Sequence, residues 1–253
     1  MKTISNQNQW GNAKKELQNE NIKLKSYDNT IIQKLGNIKN KRTLDYGCGP
    51  GVLISVLKKL GADVKGFDIS EEMIKACGEK IGKENVYKNV SEIPTAQFDI
   101  IICNLVLCIV EEPEVKNICK NIAKILNKNG LVYIGFCNPK IFNVKESQLD
   151  FRFQTGNKYE ENHIYKKIKK EGNYKILELH RPIEWYEKVY KEADLKLLEI
   201  LFTPEYELKG NKINDFVIFK LCKTKKYFFF RISLYTVSFW VSLRLFFLQK
   251  EKD

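Results

Sequence analysis

A chain of 253 residues is long enough for one α/β domain of ordinary size with a good core, plus additions at its ends. Its net charge of +12 is unevenly placed: residues 1–43 carry nine Lys/Arg against three acids, residues 223–253 seven against two, and residues 44–222 carry 27 against 26. The near-neutral body lacks the basic surplus that a nucleic-acid enzyme usually shows on its own domain, whereas basic ends suit an anionic membrane surface or solubility.

The seven cysteines, Cys48, Cys77, Cys103, Cys108, Cys119, Cys137 and Cys222, are odd in number and form no CxxC pair. Several fall inside apolar patterns, so they read as small buried hydrophobes in a reducing compartment, and no metal site is expected. The first sixteen residues, MKTISNQNQWGNAKKE, contain no apolar core of the signal-peptide kind, and a cytoplasmic setting is expected.

From Asn19 to Ile38 the apolar residues Ile22, Leu24, Tyr27, Ile31, Ile32 and Leu35 recur at the spacing of an amphipathic helix. RTLDY then reads as a strand, and Gly47-Cys48-Gly49-Pro50-Gly51 turns it into the helix-like VLISVLKKL. Glycine lets a ligand lie against bare backbone there, and the amides opening the helix point partial positive charge into the gap. A dinucleotide fold asks for G-x-G-x-x-G; Val52 and Leu53 occupy the positions in question, which disfavours nicotinamide and flavin. A second strand ends at Asp68, about twenty residues after the glycines, where a carboxylate can accept from both hydroxyls of a ribose. Ser70 reads as an N-cap with Glu71 and Glu72 in the first turn of a helix over 70–80. Val86-Tyr87-Lys88 is a short strand, and Phe98–Asn104 has the continuous apolar character of a buried parallel strand.

Glu112-Pro113-Glu114 opens a helix to Leu126, with Asn127–Gly130 as its stop and Leu131–Cys137 as the fifth strand. Residues 138–181 break this rhythm and hold Phe142, Phe151, Phe153, Tyr159, Tyr165 and the only histidines, His163 and His180. A helix over 184–193 and strands over 196–203 and 214–222 follow, with Leu195–Phe202 and Phe216–Lys220 as the last pair. The final run Tyr227–Leu248 is largely apolar and aromatic, interrupted by Arg231 and Arg244. The separation of thirteen positions between these arginines makes roughly 20 Å of helix, shorter than a bilayer core, so a helix in the membrane interface or one packed on the domain or a second subunit is expected rather than a span.

Taken together, Asp45, Gly47, Gly49, Gly51 and Asp68 in this order resemble the first two motifs of the class I S-adenosylmethionine-dependent methyltransferases of the small-molecule type. The resemblance implies an α/β Rossmann-like sheet of seven mostly parallel strands, with helices on both faces and an antiparallel last strand. It divides the chain into a helical lid over 1–42, to which Trp10 could belong, a methyltransferase domain over 43–222 and an apolar, basic tail over 223–253. It implies S-adenosylmethionine as cofactor, held by Asp45, Gly47, Cys48, Gly49, Gly51, Asp68, Ile69 and Met73. Asn89 and Val90 match a third motif that meets the adenine, with asparagine where many relatives have aspartate, and Asn104 and Leu105 match a fourth that touches cofactor and acceptor. Cys108-Ile109 stands where many relatives have a histidine pair. Residues 138–181 match the interval that often carries the substrate-binding insertion, and His180-Arg181-Pro182-Ile183-Glu184-Trp185 resembles a signature preceding the last helix.

Methyl transfer from a sulfonium is largely a matter of aligning nucleophile, methyl and leaving sulfur, with a general base where the acceptor must lose a proton. His180 and His163 are the candidate bases, with Tyr159, Tyr165 and Glu161 behind them. The expected acceptor is a small molecule, amphipathic or lipid-linked if the tail marks a membrane surface, with peripheral membrane contact through 227–248. Methylation of tRNA or protein is a second reading that the neutral body and the lack of an NPPY-like motif disfavour. A SAM-binding protein without turnover is a third.

Overall fold

The structure is a computed structural model, and it describes residues 27–154, 158–170 and 175–224. The first 26 residues, Trp10 among them, and the apolar run Tyr227–Leu248 lie outside the described residues.

A seven-stranded sheet is ordered β3-β2-β1-β4-β5-β12-β9. Its members are β1 (Arg42–Tyr46), β2 (Asp63–Phe67), β3 (Val86–Tyr87), β4 (Phe98–Asn104), β5 (Leu126–Cys137), β9 (Leu195–Phe202) and β12 (Phe216–Lys223). Strands β1 to β5 pair in parallel, while β12 lies antiparallel between β5 and β9. The order reverses between β1 and β4, so their carboxyl ends border the crevice where open α/β sheets bind ligands.

Alternation along β4 shows why both faces are covered. Ile100 and Ile102 point into one cluster with Ile54 and Leu57 of α2 (Val52–Lys59) and Cys77 and Ile81 of α3 (Glu71–Ile81). Ile101 and Cys103 point into the other, with Ile118 and Ile122 of α4 (Glu112–Ile125) and Tyr186 and Tyr190 of α5 (Ile183–Glu192). All seven cysteines are free, and six are buried in this apolar packing.

Of the long N-terminal helix expected over 19–38, the described part is a short helix α1 (Asn29–Leu35), ended by Gly36 at φ 66°. Asn127–Gly130 does not stop α4 ahead of a separate strand; β5 begins directly at Leu126. The four residues bulge out of β5, since Phe98 pairs with Leu126 while Ile100 pairs with Leu131. Asn127 ties the bulge to Asp99 and accepts from the Asn129 amide at 2.9 Å, so turn chemistry correctly read in the sequence serves a bulge.

Residues 138–181 form a three-stranded antiparallel sheet, β6 (Asp150–Phe153), β7 (His163–Lys169) and β8 (Lys175–His180). A small hairpin, β10 (Tyr206–Leu208) and β11 (Asn211–Ile213), precedes β12. The insertion sheet reverses the usual polarity. Asp150, Arg152, Lys167, Glu178 and His180 are buried, while Phe151, Phe153 and Ile164 are exposed.

Candidate functional site

The turn after β1 is built by three glycines at positive φ, each in different surroundings. A Cβ on Gly47 would overlap Val106, and one on Gly51 would lie 2.9 Å from Cys77 Sγ and 3.1 Å from the Cys77 backbone. Those two glycines serve packing. Gly49 has nothing within 4 Å of where its Cβ would be, so its bare backbone faces open space. Asp68, just past β2, fixes that turn: Oδ2 accepts from the Gly49 amide at 2.9 Å and Oδ1 from the Ser70 amide at 2.9 Å. A carboxylate has about four lone-pair positions, so each oxygen keeps capacity for a ligand hydroxyl. Burial raises the Asp68 pKa above its ordinary 3.8, opposed by the amides of Ser70, Gly49 and Ile69. Open space over Gly49 beside a half-buried carboxylate fits a nucleoside whose ribose meets Asp68.

Of the other cofactor candidates, Asp45 is buried within β1, opposite Gly66 of β2 and Ile102 of β4. Cys48 is buried, with its Sγ 3.0 Å from where a Cβ on Gly66 would stand, so only its backbone faces the turn. Met73 is buried in α3, and Ile69 and Val90 are half-buried against the core. Asn89 is exposed; it caps the short turn Val90–Glu92 in a reciprocal capping box, and its Nδ2 donates to Glu92 Oε1 at 2.7 Å.

Beyond β4 the backbone turns sharply, with Leu105 at φ 58° and its amide bonded to the Gly135 carbonyl at 2.8 Å. A left-handed conformation at a leucine is rare, and such positions concentrate where surrounding contacts impose them. Two contacts that the sequence pattern does not reveal hold this corner. The fully buried Tyr27 donates its hydroxyl to Asn104 Oδ1 at 2.8 Å, and its ring packs against Phe216 with centroids 4.6 Å apart. The buried Arg181 donates to the carbonyls of Leu107 and Val110 at 3.0 and 2.7 Å and lies over the Trp185 ring. Arg181 thereby clasps the segment whose Val106 touches Gly47, linking the insertion to the glycine turn.

The inner face of the insertion sheet meets the carboxyl end of β5 and Cys108, in the turn beyond β4, across a narrow cavity with room for about one water molecule. Phe136, Phe142 and Tyr186 give it an aromatic side, and Arg152, Tyr165, Glu178 and His180 a polar one. Behind them lies a buried ionic network. Lys167 contacts Glu178 at 2.8 Å and Asp150 at 3.5 Å, Arg152 contacts Asp150 at 2.8 Å, and Lys169 contacts Asp150 at 3.2 Å. Burial alone would raise the Asp150 pKa, but Lys167, Arg152 and Lys169 hold it well below the usual carboxylate range. Glu178 is lowered in the same way, burial being outweighed chiefly by Lys167. The Tyr165 hydroxyl donates to Glu178 at 2.8 Å.

Both histidines come together here. His163 and His180 are register partners on β7 and β8, with rings stacked 4.7 Å apart. His180 Nε2 lies 2.8 Å from the Tyr159 carbonyl, which can only accept, so the proton sits on Nε2 and Nδ1 keeps its lone pair. Burial lowers the His180 pKa below 6.5, partly offset by the Tyr159 bond, and His163 lowers it further. His163 Nδ1 lies 3.0 Å from the Glu161 carbonyl. The Tyr159 hydroxyl accepts from the Ile183 amide at 3.0 Å and donates to Glu184 at 3.1 Å, so this tyrosine caps α5.

The sheet order, the glycine turn and Asp68 are arranged as in the fold of class I S-adenosylmethionine-dependent methyltransferases. Residues 44–134 match the family model described as a methyltransferase domain. It is 33% identical over 122 residues to the ubiquinone biosynthesis O-methyltransferase of Bordetella avium, covering 44% of this chain and 50% of that one. It is 32% identical over 125 residues to the ribosomal protein L11 methyltransferase of Helicobacter hepaticus, covering 46% and 38%. The chain thus spans about half the length, or less, of these relatives. Among solved structures it resembles a S-adenosylmethionine-dependent methyltransferase from Clostridium acetobutylicum, with TM-score 0.56 and 17% identity over 85% of this chain and 96% of that one. The 1,6-didemethyltoxoflavin-N1-methyltransferase of Burkholderia thailandensis, solved with 1,6-didemethyltoxoflavin and S-adenosylhomocysteine, gives 0.58 and 13% over 87% of each chain. The family match ends at residue 134, ahead of the insertion, and the matched relatives carry names with unlike acceptors. The matched stretch runs from β1 into β5 and includes the glycine turn and Asp68.

Proposed function

We propose that this protein transfers the methyl group of S-adenosylmethionine to an O, N or C atom of a small molecule held by the 138–181 insertion beyond the carboxyl end of the sheet. The observation that carries this reading is the Asp68 carboxylate, bonded at 2.9 Å to the Gly49 amide beside open backbone. When bound, the cofactor supplies a methyl group already activated by positive sulfur. Asp68 holds the ribose, Gly49 admits the cofactor against backbone, and Asn104 and Leu105 face donor and acceptor from the end of β4. For an acceptor that must shed a proton, His180 takes it on Nδ1, its Nε2–H being kept on the Tyr159 carbonyl at 2.8 Å. Tyr27, by bonding Asn104 at 2.8 Å, fixes the orientation of that side chain. An amphipathic or lipid-linked acceptor is the narrower form of the reading, supported by the apolar run Tyr227–Leu248.

Calorimetric titration with S-adenosylhomocysteine tests the donor half, with Asp68→Ala expected to weaken binding strongly. No binding by the intact protein would overturn the proposal. Labelled S-adenosylmethionine offered with metabolite, lipid, RNA and protein fractions then tests the acceptor, and label entering only RNA or protein would refute the small-molecule assignment.

A further inference from the structure

We infer that the outer face of the insertion sheet docks on an anionic lipid surface. Of the six exposed large hydrophobic residues among those described, Phe151, Phe153 and Ile164 share this one face, at 41%, 49% and 53% exposure. The register sets Phe151 opposite Ile168 and Phe153 opposite Lys166, with Ile164 diagonal to Phe153 and Leu177 opposite Lys166. Scattered exposed apolar residues are ordinary, but contiguous ones on a single sheet mark an interaction surface.

The charge on this face selects the partner. Lys166 Nζ lies 5.1 Å over the Phe153 ring and Lys170 Nζ 4.7 Å over the Phe151 ring, so apolar rings and ammonium groups share one plane. Lys175 is exposed on the same face, and among the described residues the outward positions of β6, β7 and β8 include no acid. The one acid at its edge, Glu146, is bridged to Phe151 and paired with both Lys170 and Lys209, so Lys166 and Lys175 carry the surplus positive charge of the face. Two copies of such a face would repel. An anionic bilayer meets both halves of it, since rings enter the headgroup boundary while lysines stay with phosphates.

The last described residues lie away from this face, at the far end of the central sheet. Cys222 near the end of β12 pairs with Leu131, at the opposite end of β5 from Cys137 where the insertion begins, and Thr224 is bonded to Asp194 there. The same sheet would thus face lipid on one side and the cavity on the other. This inference does not depend on the methyl-transfer reading.

The test is sedimentation of the full chain with phosphatidylcholine vesicles, with and without about 30% phosphatidylglycerol. Wild type is expected to bind the anionic vesicles and to release them at high salt. The double variant Phe151→Ser/Phe153→Ser is expected to lose at least about tenfold in affinity, and Lys166→Glu to lose it for the anionic vesicles in particular. Unchanged melting temperature shows that these exposed substitutions leave the fold intact. The inference is overturned if wild type does not bind, if both variants bind as well as wild type because another segment drives attachment, or if the phenylalanines instead hold a dimer together.

Discussion

The amide of Gly49 donates to Asp68 Oδ2 at 2.9 Å, and the other oxygen of the same carboxylate accepts from Ser70 at 2.9 Å. One side chain therefore fixes the glycine turn and opens α3, and in the proposed reading its remaining lone pairs meet a ribose. Asp68→Asn keeps the shape but has one acceptor oxygen for two backbone amides. Affinity for S-adenosylhomocysteine should fall roughly 10- to 100-fold, with a loss of about 1 to 3 kcal/mol in stability. Calorimetry and urea melts measure the two, and an unchanged affinity would remove Asp68 from the site.

The glycines of the turn should separate by phenotype. Gly47→Ala drives a Cβ into Val106 at φ 85°, and should cost about 2 to 4 kcal/mol of folding stability. Gly49→Ala meets no neighbour and should cost about 1 kcal/mol for its left-handed backbone, yet lose cofactor affinity because the new methyl projects into open space. Equal thermal shifts for both, with equal binding losses, would show that the distinction between packing glycine and ligand glycine is wrong.

The stretch from β1 through α3 was legible because its local chemistry and its place in the fold agree. RTLDY, the glycines and Asp68 each demand their conformation from neighbours in sequence; the expected Ser70 side-chain cap does not form, and Ser70 instead donates its amide to Asp68. The insertion was hidden for a physical reason. Its strands obey the period of two, but Arg152, Lys167 and Glu178 face inward and Phe151, Phe153 and Ile164 outward, so a reading keyed to buried apolar residues finds no strand. Tyr27 to Asn104 spans 77 positions and Arg181 to Leu107 spans 74, and no spacing rule links such pairs.

His180 gives a pH prediction with a definite sign. Its pKa lies below 6.5 in the fold, chiefly because it is buried, so kcat/KM should rise from acid pH along a limb whose midpoint lies below that value. His180→Gln should lower kcat about 100-fold or more and abolish that limb for a protonated acceptor. His163→Gln, which leaves the Nε2 bond to Tyr159 in place, should shift the limb upward with a smaller loss, because His163 helps depress His180. Folding stability should fall with the same acidification, since the unfolded histidine binds a proton that the buried ring resists. An acid limb retained in His180→Gln would exclude it as the base.

Tyr27→Phe removes a single oxygen and leaves the packing on Phe216. The Asn104 side chain then loses its 2.8 Å donor, and stability should drop by about 1 kcal/mol. Tyr27→Ala also empties a fully buried site and should cost about 3 to 5 kcal/mol. If the first variant binds S-adenosylhomocysteine as wild type does but turns over more slowly, the hydroxyl acts through the orientation of Asn104; unchanged turnover would confine Tyr27 to packing.

Lys167 has the clearest linkage signature. In the wild type it helps keep Asp150 and Glu178 ionised despite burial, so their contribution is present above about pH 4 and disappears only as pH falls through their lowered pKa values. Lys167→Met leaves Glu178 without the ammonium at 2.8 Å, and breaking a buried pair should cost about 3 to 5 kcal/mol at neutral pH. Burial then dominates, raising the Glu178 pKa above its unfolded value, and the folded state binds a proton that the unfolded state gives up. The variant should therefore melt higher at about pH 5 than at about pH 7, while wild type shows no such gain. Lys167→Met/Glu178→Gln removes both charges and should recover much of the loss with a flat profile over that range. A single variant whose stability does not rise on acidification would mean that water or another cation reaches Glu178 in place of Lys167.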